Sequence, residues 1–221
     1  MEYICDDCRI SSEEFARGSS SLAEYITRNN FNKVLIYGHK SPLVPLSIQA
    51  CIKSGTTYIP VDMFISEERL RSVISQSEPD VIFCTEGEIP SDIERVSASA
   101  LIEIIHEPSD FKNISVPLNN TSYIIFTSGS TGIPKKIEIT RKNLANFICW
   151  FNEIPAVREC RPLTVLNQAA FSFDLSVADL FYSLNSGARL YALSREDTEN
   201  FTRLFKKLSA SEAEMAVITP S

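Results

Sequence analysis

The residues best suited to chemistry in this 221-residue sequence lie between Ser122 and Thr140. An apolar run ends at six residues made only of threonine, serine and glycine, which are Thr127, Ser128, Gly129, Ser130, Thr131 and Gly132. Amides and hydroxyls in such a loop can surround phosphate oxygens, because glycine permits positive φ values and a close approach that a Cβ would block. Lys135 adds a positive charge just beyond the loop. The segment therefore predicts a nucleotide phosphate site, and the alternative is an ordinary polar turn between two strands.

The spacing around this loop excludes the two commonest nucleotide-binding fingerprints. The sequence contains neither G-x-x-x-x-G-K nor G-x-G-x-x-G. Apolar and polar residues alternate from Ile137 to Thr140, and this pattern predicts a strand after the loop. A Walker-type loop would instead lead into a helix.

Asp174 is the second candidate, in the segment FSFDLSVADLFYSL that runs from Phe171 to Leu184. Its neighbours Phe173 and Leu175 are apolar, and an ionised carboxylate in apolar surroundings needs a partner, which a substrate ammonium could supply. The alternative is structural, because aspartate before an apolar periodic run is a common N-cap, here of a helix over 175–186.

The string YIIFTSGSTGIPKK, from Tyr123 to Lys136, resembles the nucleotide-binding signature of adenylate-forming enzymes, the AMP-binding superfamily. The resemblance implies that Thr127 and Ser128 contact ATP, and that the loop through Gly132, with Lys135, holds the β- and γ-phosphates. Family members usually have glycine where this sequence has Lys136. The extra lysine either adds to phosphate attraction or projects from the following strand.

The other resembling segments indicate an amino-acid substrate. Members that activate amino acids carry an F-D-x-S pattern whose aspartate binds the substrate α-amino group, and here that residue is Asp174. Within the superfamily, the segments 34–43, 52–62 and 166–184 resemble those of the D-alanine–D-alanyl carrier protein ligases. This implies ATP and Mg²⁺ as cofactors, D-alanine as substrate, a phosphopantetheinylated carrier protein as partner, and a role in lipoteichoic acid and cell-wall synthesis.

Two other functions stay open. One is an adenylation domain of a non-ribosomal peptide synthetase that uses another amino acid, and the other is a truncated, non-catalytic paralogue that binds a carrier protein. Superfamily members are considerably longer than this sequence. We therefore expect residues 1–221 to be a partial AMP-binding (adenylation) N-terminal domain, without the C-terminal part and the small lid domain. No catalytic residue is expected in this part, and the fragment alone should not turn over substrate.

The composition argues against nucleic acid, membrane and metal as partners of this chain. The net charge of −7 and the scattered lysines and arginines give no basic surface for nucleic acid. No apolar run approaches the ~20 residues of a membrane-spanning helix, and the acidic N-terminus does not resemble a signal peptide, so we expect no membrane insertion and a cytoplasmic location. The single C-x-x-C, Cys5 to Cys8, lacks a second ligand pair, and no metal site is predicted. His39 is interpreted as a loop histidine without a catalytic partner, and Asp62 as a loop or cap residue.

The alternation of elements predicts an α/β fold with a largely parallel β-sheet layered with helices, part of the large N-terminal domain of an adenylate-forming enzyme. Glu86–Ala100 and Glu107–Asn120 look like polar connections. Apolar spacing predicts helices that start at Ser66 and near Thr140, one that ends before Gly55, and one that carries Phe201, Leu204, Phe205 and Leu208. The predicted strands include 33–37, 58–61, 80–85, 190–193 and 215–218.

Overall fold

The computed structural model describes residues 1–6, 8–89, 92–127 and 134–218, and it confirms the α/β class. In these ranges the strands are β1 Tyr3–Cys5, β2 Cys8–Ile10, β3 Lys33–Tyr37, β4 Thr57–Val61, β5 Val81–Cys84, β6 Arg95–Val96, β7 Thr121–Thr127, β8 Lys135–Thr140, β9 Thr164–Asn167, β10 Arg189–Ala192 and β11 Met215–Ala216. The helices are α1 Ser12–Arg28, α2 Leu43–Ser54, α3 Glu67–Ser77, α4 Ala98–His106, α5 Arg141–Glu153, α6 Pro155–Cys160, α7 Ser176–Ser186, α8 Arg195–Glu199 and α9 Phe201–Ser211. None of these helices is both long and apolar enough to cross a bilayer.

The strands form two largely parallel sheets. One has six strands in the order β6-β5-β3-β4-β7-β8, with only β8 antiparallel to its neighbour. The other has five in the order β11-β9-β10-β1-β2, with only β2 antiparallel. Both faces of the inner strands are covered, which is why these strands read as continuous apolar runs, such as Val34–Tyr37, and do not alternate.

Three hydrophobic clusters show how the layers stack. The largest lies between the two sheets and joins residues of both, such as Phe83 and Leu190, with side chains of α1, α2, α5 and α7. A second lies under α3 on the opposite face of the six-stranded sheet. The third packs Leu204 of α9 against the outer face of the five-stranded sheet. The chain therefore stacks in alternating layers of helices and sheets.

The local signals at the helix ends are confirmed. Ser66 caps α3 through its side chain, and Thr140 caps α5 in a reciprocal box with Asn143. Gly55 ends α2 at φ +81°, in the left-handed region that favours glycine.

One prediction about polarity needs correction. The expected polar connection Glu86–Ala100 contains β6 and the start of α4, because Val96, Leu101 and Ile104 are buried. The α9 helix forms as expected, but its apolar face is largely exposed, with Phe201 78% and Phe205 66% accessible. The other expected connection, Glu107–Asn120, indeed contains no helix or strand.

Candidate functional site

The parallel strands β3, β4, β5 and β7 all end at one edge of the six-stranded sheet, and the loops that follow them converge there. In open α/β sheets, ligands bind in the crevice outside the carboxyl ends of the strands. The predicted phosphate loop follows β7, and Asp62 follows β4. Asp174 follows β9, which is a strand of the five-stranded sheet. The candidate residues thus come from both sheets.

The antiparallel β7–β8 hairpin presents the two ends of the predicted phosphate loop. Thr127 is paired directly with Lys135, and both side chains are exposed. The other predicted phosphate ligands, Ser128, Gly129, Ser130, Thr131 and Gly132, lie outside the described residues. At the far end of the loop Pro134 is buried, and its carbonyl accepts a hydrogen bond of 3.1 Å from Gln76 Nε2 on α3. The hairpin ladder and α3 together hold the loop ends.

The two lysines after the loop point to opposite faces, since side chains alternate along a strand. Lys135 shares its face with Ile137 and Ile139, which pack in the cluster between the sheets. It makes no ion pair with a described residue. Lys136 points to the other face, and its Nζ lies 2.7 Å from a carboxylate oxygen of Glu138. Of the two roles considered for Lys136, the geometry favours projection from the strand.

Asp174 is exposed, which corrects the expectation of apolar surroundings. Phe171 and Val177 beside it are buried, but Phe173 is 54% exposed, so the carboxylate stays in contact with solvent. Asp174 does not cap the following helix either. That helix begins at Ser176, its N-cap is Leu175, and no side-chain hydrogen bond caps it. Within the described part of the chain the carboxylate has no hydrogen-bond or ion-pair partner.

The pKa of Tyr123 on β7 responds to the charge of Asp174. Burial raises the pKa of Tyr123 to about 12, and the negative charge of Asp174 contributes to this rise. Tyr123 lies on β7, on the same face as Thr127 and Lys135. Asp174 therefore lies close enough to β7 for its charge to act on that strand.

A cavity of about 570 Å³ is lined by Phe126 and Phe173, the residues immediately before Thr127 and Asp174. Its walls come from the end of β4, the first turn of α3, the end of β7 and the segment before Asp174. Three aromatic side chains line it, together with two charged ones: Phe64, Phe126, Phe173, Asp62 and Arg69. The Arg69 guanidinium has no hydrogen bond or ion pair with a described residue. An apolar cavity with a few polar groups is the usual form of a small-molecule site.

His39 and Asp62 form a pair that the sequence interpretation did not include. His39 Nδ1 lies 2.7 Å from Asp62 Oδ2, and Asp62 Oδ1 accepts a 3.0 Å hydrogen bond from the Phe64 amide. Burial alone would raise the pKa of Asp62, but the hydrogen bonds from His39 and Phe64 outweigh it and hold that pKa below its usual value. Each residue follows a predicted strand by one or two positions. If those two strands had been placed side by side, this spacing would have indicated the contact.

No group of three or more potential metal-ligating side chains occurs in residues 1–6, 8–89, 92–127 and 134–218. Cys5 and Cys8 are opposite each other in the β1–β2 hairpin, and both are free thiols.

Comparisons with known proteins show the family and the fold. A family model described as AMP-binding enzyme matches residues 2–221. The D-alanine–D-alanyl carrier protein ligase of Listeria monocytogenes serotype 4a (strain HCC23) is 36% identical over 225 residues, which cover 96% of this chain and 44% of the relative. The ligase of the same name from Bacillus licheniformis is 35% identical over 100% of this chain and 45% of its own length. The chain thus spans less than half the length of these relatives.

Solved structures match the fold. The N-terminal subdomain of Klebsiella oxytoca NpsA, in complex with 3-hydroxybenzoyl-AMSN, superposes with a TM-score of 0.83 at 22% identity, over 97% of this chain and 54% of that one. VinN in complex with L-aspartate gives a TM-score of 0.84 at 16% identity, over 98% and 57%. At such low identity these structures show the fold alone. Since the family match extends over nearly every residue, the chain belongs to the AMP-binding enzyme family.

Proposed function

We propose that this chain is the part of an amino-acid:carrier-protein ligase that binds ATP and the amino acid, and that the amino acid is D-alanine. The observation that carries the proposal is the cavity lined by both the end of β7, where Thr127 pairs with Lys135, and the segment that leads to Asp174. Relatives named as D-alanine–D-alanyl carrier protein ligases support the substrate and the carrier partner. In such a ligase the D-alanyl group passes to the phosphopantetheine thiol of the carrier. We propose that this transfer serves lipoteichoic acid synthesis for the cell wall, and that the ligase is located in the cytoplasm.

The described residues fit a triphosphate at both ends of the loop. The Thr127 hydroxyl and the Lys135 ammonium are exposed, close in register and free of ion pairs with described residues, so they can donate to phosphate oxygens. We include Ser128 through Gly132 in this role on the basis of the signature alone. Mg²⁺ bound with ATP would offset the negative charge of the phosphates.

The chemistry assigns the protein a positioning role. The carboxylate of the amino acid is itself the nucleophile, attacks the α-phosphorus and displaces pyrophosphate, so no side chain has to act as a base. Lys135 would hold the phosphates in line, and Asp174 would hold the substrate ammonium, which orients the carboxylate toward phosphorus. Fixing both reactants in this way converts an encounter in solution into a reaction within one complex.

Calorimetric titration with ATP and Mg²⁺, with and without D-alanine, tests the binding half of the proposal. We expect ATP to bind the chain as it is, and D-alanine to bind more tightly than L-alanine or glycine. Absence of ATP binding would reject the assignment of the β7–β8 loop.

Turnover requires the rest of the ligase. We expect the chain alone to give no ATP–pyrophosphate exchange, and a fusion to the remaining sequence of the Bacillus licheniformis relative to give exchange that depends on D-alanine. Asp174→Ala should abolish this exchange. Undiminished exchange in that variant would show that the carboxylate does not hold the substrate amine.

A further inference from the structure

A buried lysine connects the two sheets beside the candidate site. Lys40 follows β3 and is only 4% exposed. Its Nζ donates to Asn167 Oδ1 and, over 2.6 Å, to the carbonyl of Ala169. The same ammonium lies 4.7 Å from the ring centroid of Phe171. A side chain from the six-stranded sheet therefore holds the segment that leaves the five-stranded sheet.

This ammonium has no direct ion pair with a described residue. The buried carboxylate of Asp179 is hydrogen-bonded to Asn167 Nδ2 at 3.1 Å and reaches Lys40 only through that amide. Burial lowers the pKa of Lys40 to about 8, against the smaller opposing effects of Cys5 and Asp179. Burial of a single ammonium without a carboxylate partner costs desolvation free energy that an apolar side chain of similar volume would not incur. Filling the core does not by itself account for a lysine here.

The chain beyond Ala169 is a series of turns that ends at Asp174. The amide of Phe173 donates to Ala170 O at 2.9 Å, that of Ser176 to Phe173 O at 3.1 Å, and that of Val177 to Asp174 O at 3.0 Å. Ala170 and Phe173 also line the cavity. No strand or helix includes residues 168–175, so the contacts of Lys40 fix the start of this series.

We propose that Lys40 is a positioning residue: by holding Ala169 and Asn167 it sets the path of residues 169–174, and with it the place where Asp174 meets a ligand ammonium. The link to the ammonium rests on the function proposed above, whereas the ordering of the segment does not.

Amide hydrogen exchange measured by NMR on the whole chain tests the ordering. In Lys40→Met, which keeps the volume and removes the donors, we expect exchange at Phe173, Ser176 and Val177 to accelerate at least about tenfold, as local opening becomes easier. The melting temperature should fall, because the oxygens of Asn167 and Ala169 lose a buried donor, but exchange at core amides such as that of Leu35 should accelerate less than at these three. If Lys40→Met does not fold, Lys40→Gln, which keeps a donor but not the charge, carries the same comparison.

Lys53→Met is the matched control. Lys53 Nζ also donates to a carbonyl and to hydroxyls, those of Ala16 at 3.0 Å, Ser19 at 2.8 Å and Ser20 at 2.9 Å, but far from this segment in the chain. Its variant should leave exchange at residues 173–177 unchanged. Equal exchange in Lys40→Met and wild type, or equal acceleration in both variants, would overturn the positioning role.

Calorimetry with D-alanine tests the link to the ligand. We expect Lys40→Met to weaken D-alanine binding about tenfold, equivalent to about 1.4 kcal/mol. Faster exchange with unchanged affinity would overturn the link to Asp174. If the wild type itself does not bind D-alanine, the proposed function fails, and the exchange data alone decide whether Lys40 orders the segment.

A pH series separates positioning from packing. From pH 7.5 to 9.5 the D-alanine affinity of the wild type should fall more than that of Lys40→Met, because only the wild type loses the Lys40 charge. The other titratable groups that act on Lys40 or contact it are Tyr3, Cys5, Asp62 and Asp179. Burial raises the pKa of Cys5 to about 12 and the pKa of Tyr3 well above its usual value. Burial also raises the pKa of Asp179 to about 7, whereas the pKa of Asp62 lies below its usual value. These four groups therefore largely keep their protonation states between pH 7.5 and pH 9.5. Parallel pH profiles would overturn the proposal.

Discussion

The β7–β8 hairpin and the segment from Ala169 to Asp174 bring ligand-binding candidates to the same region by different physical means. In the hairpin, Thr127 and Lys135 are eight positions apart and are held by a backbone ladder that extends to the pair Thr121–Thr140. In the segment, Ala169 is held by the side chain of Lys40, 129 positions away in the sequence.

The comparison separates short-range from long-range order. A two-stranded ladder tolerates most changes of side chain, because its hydrogen bonds belong to the backbone. The segment depends on one buried ammonium and on the amide and carboxylate beside it, and removal of a buried partner leaves a polar group unsatisfied. We therefore expect substitutions around the segment to have larger effects than substitutions around the hairpin.

The largest effect on ligand binding should come from Asp174→Asn. Loss of the carboxylate charge should weaken D-alanine binding roughly 30-fold, since a hydrogen bond to a charged group contributes about 2 kcal/mol. ATP affinity should stay constant in the same calorimetric titrations. Asp110→Asn, at another exposed aspartate, is the control and should change neither affinity.

Asp179→Asn tests how the buried carboxylate beside the segment affects stability, through the pH dependence of the free energy of unfolding. Burial raises the pKa of Asp179 from 3.8 to about 7, so the folded state binds this proton more tightly than the unfolded state. The contribution of Asp179 to stability therefore falls as pH rises from about 4 to about 7 and is constant above that. The linkage for this shift is about 4 kcal/mol and already includes the attraction to Lys40, so the gain of the variant should increase by up to about 4 kcal/mol between pH 4 and pH 8.

Urea unfolding from pH 5 to pH 8 measures this gain. The difference in the free energy of unfolding between Asp179→Asn and wild type should grow with pH. A difference independent of pH would mean that Asp179 titrates normally in the folded state.

Lys135→Met and Lys136→Met sharpen the comparison within the hairpin. Lys135 lacks an ion pair with described residues, whereas Lys136 is paired with Glu138 on the opposite face. We expect Lys135→Met to weaken ATP binding about tenfold through loss of a charge-assisted hydrogen bond, and Lys136→Met to weaken it less than about twofold. Calorimetry with ATP and Mg²⁺ compares them directly, and equal losses would place both ammonium groups at the phosphates.

The smallest effect should come from Gln76→Met on α3. This variant removes the donor to the buried carbonyl of Pro134 and should lower the free energy of unfolding by about 1 kcal/mol. ATP binding should weaken about threefold, because the end of the loop is held less firmly, while D-alanine binding should not change. A matching loss of D-alanine affinity would show that hairpin and segment are coupled through α3.

Much of the fold could be predicted because its signals are local. Strand β3, the capped start of α3 at Ser66 and the end of α2 at Gly55 each depend on residues within one or two turns of each other. The loop between two strands was predictable for the same reason, and Thr127 and Lys135 lie where the pattern placed them.

Helices α1 and α4 show what could not be predicted from neighbouring residues in the sequence. Helix α1 contains Gly18 and several serines, which form helices poorly by themselves. It is stabilised by packing: a Cβ on Gly18 would lie 3.1 Å from Cβ of Ile105, a tight contact, so the close approach of α1 to α4 favours glycine at this position. The spacing of Leu101 and Ile104 in α4 was readable as a buried face, but the polar residues before it hid the signal.

The sequence by itself determined the class of the fold, the position of the hairpin loop and the type of residue at each candidate position, because propensities, caps and alternation act between neighbours in the chain. Only the tertiary structure decided that the strands form two sheets, that Asp174 is exposed and caps no helix, that His39 pairs with Asp62, and that Lys40 reaches Ala169. Those contacts join strand ends distant in sequence. They follow from the order in which strands align in a sheet and from how the sheets pack, and no local pattern specifies either.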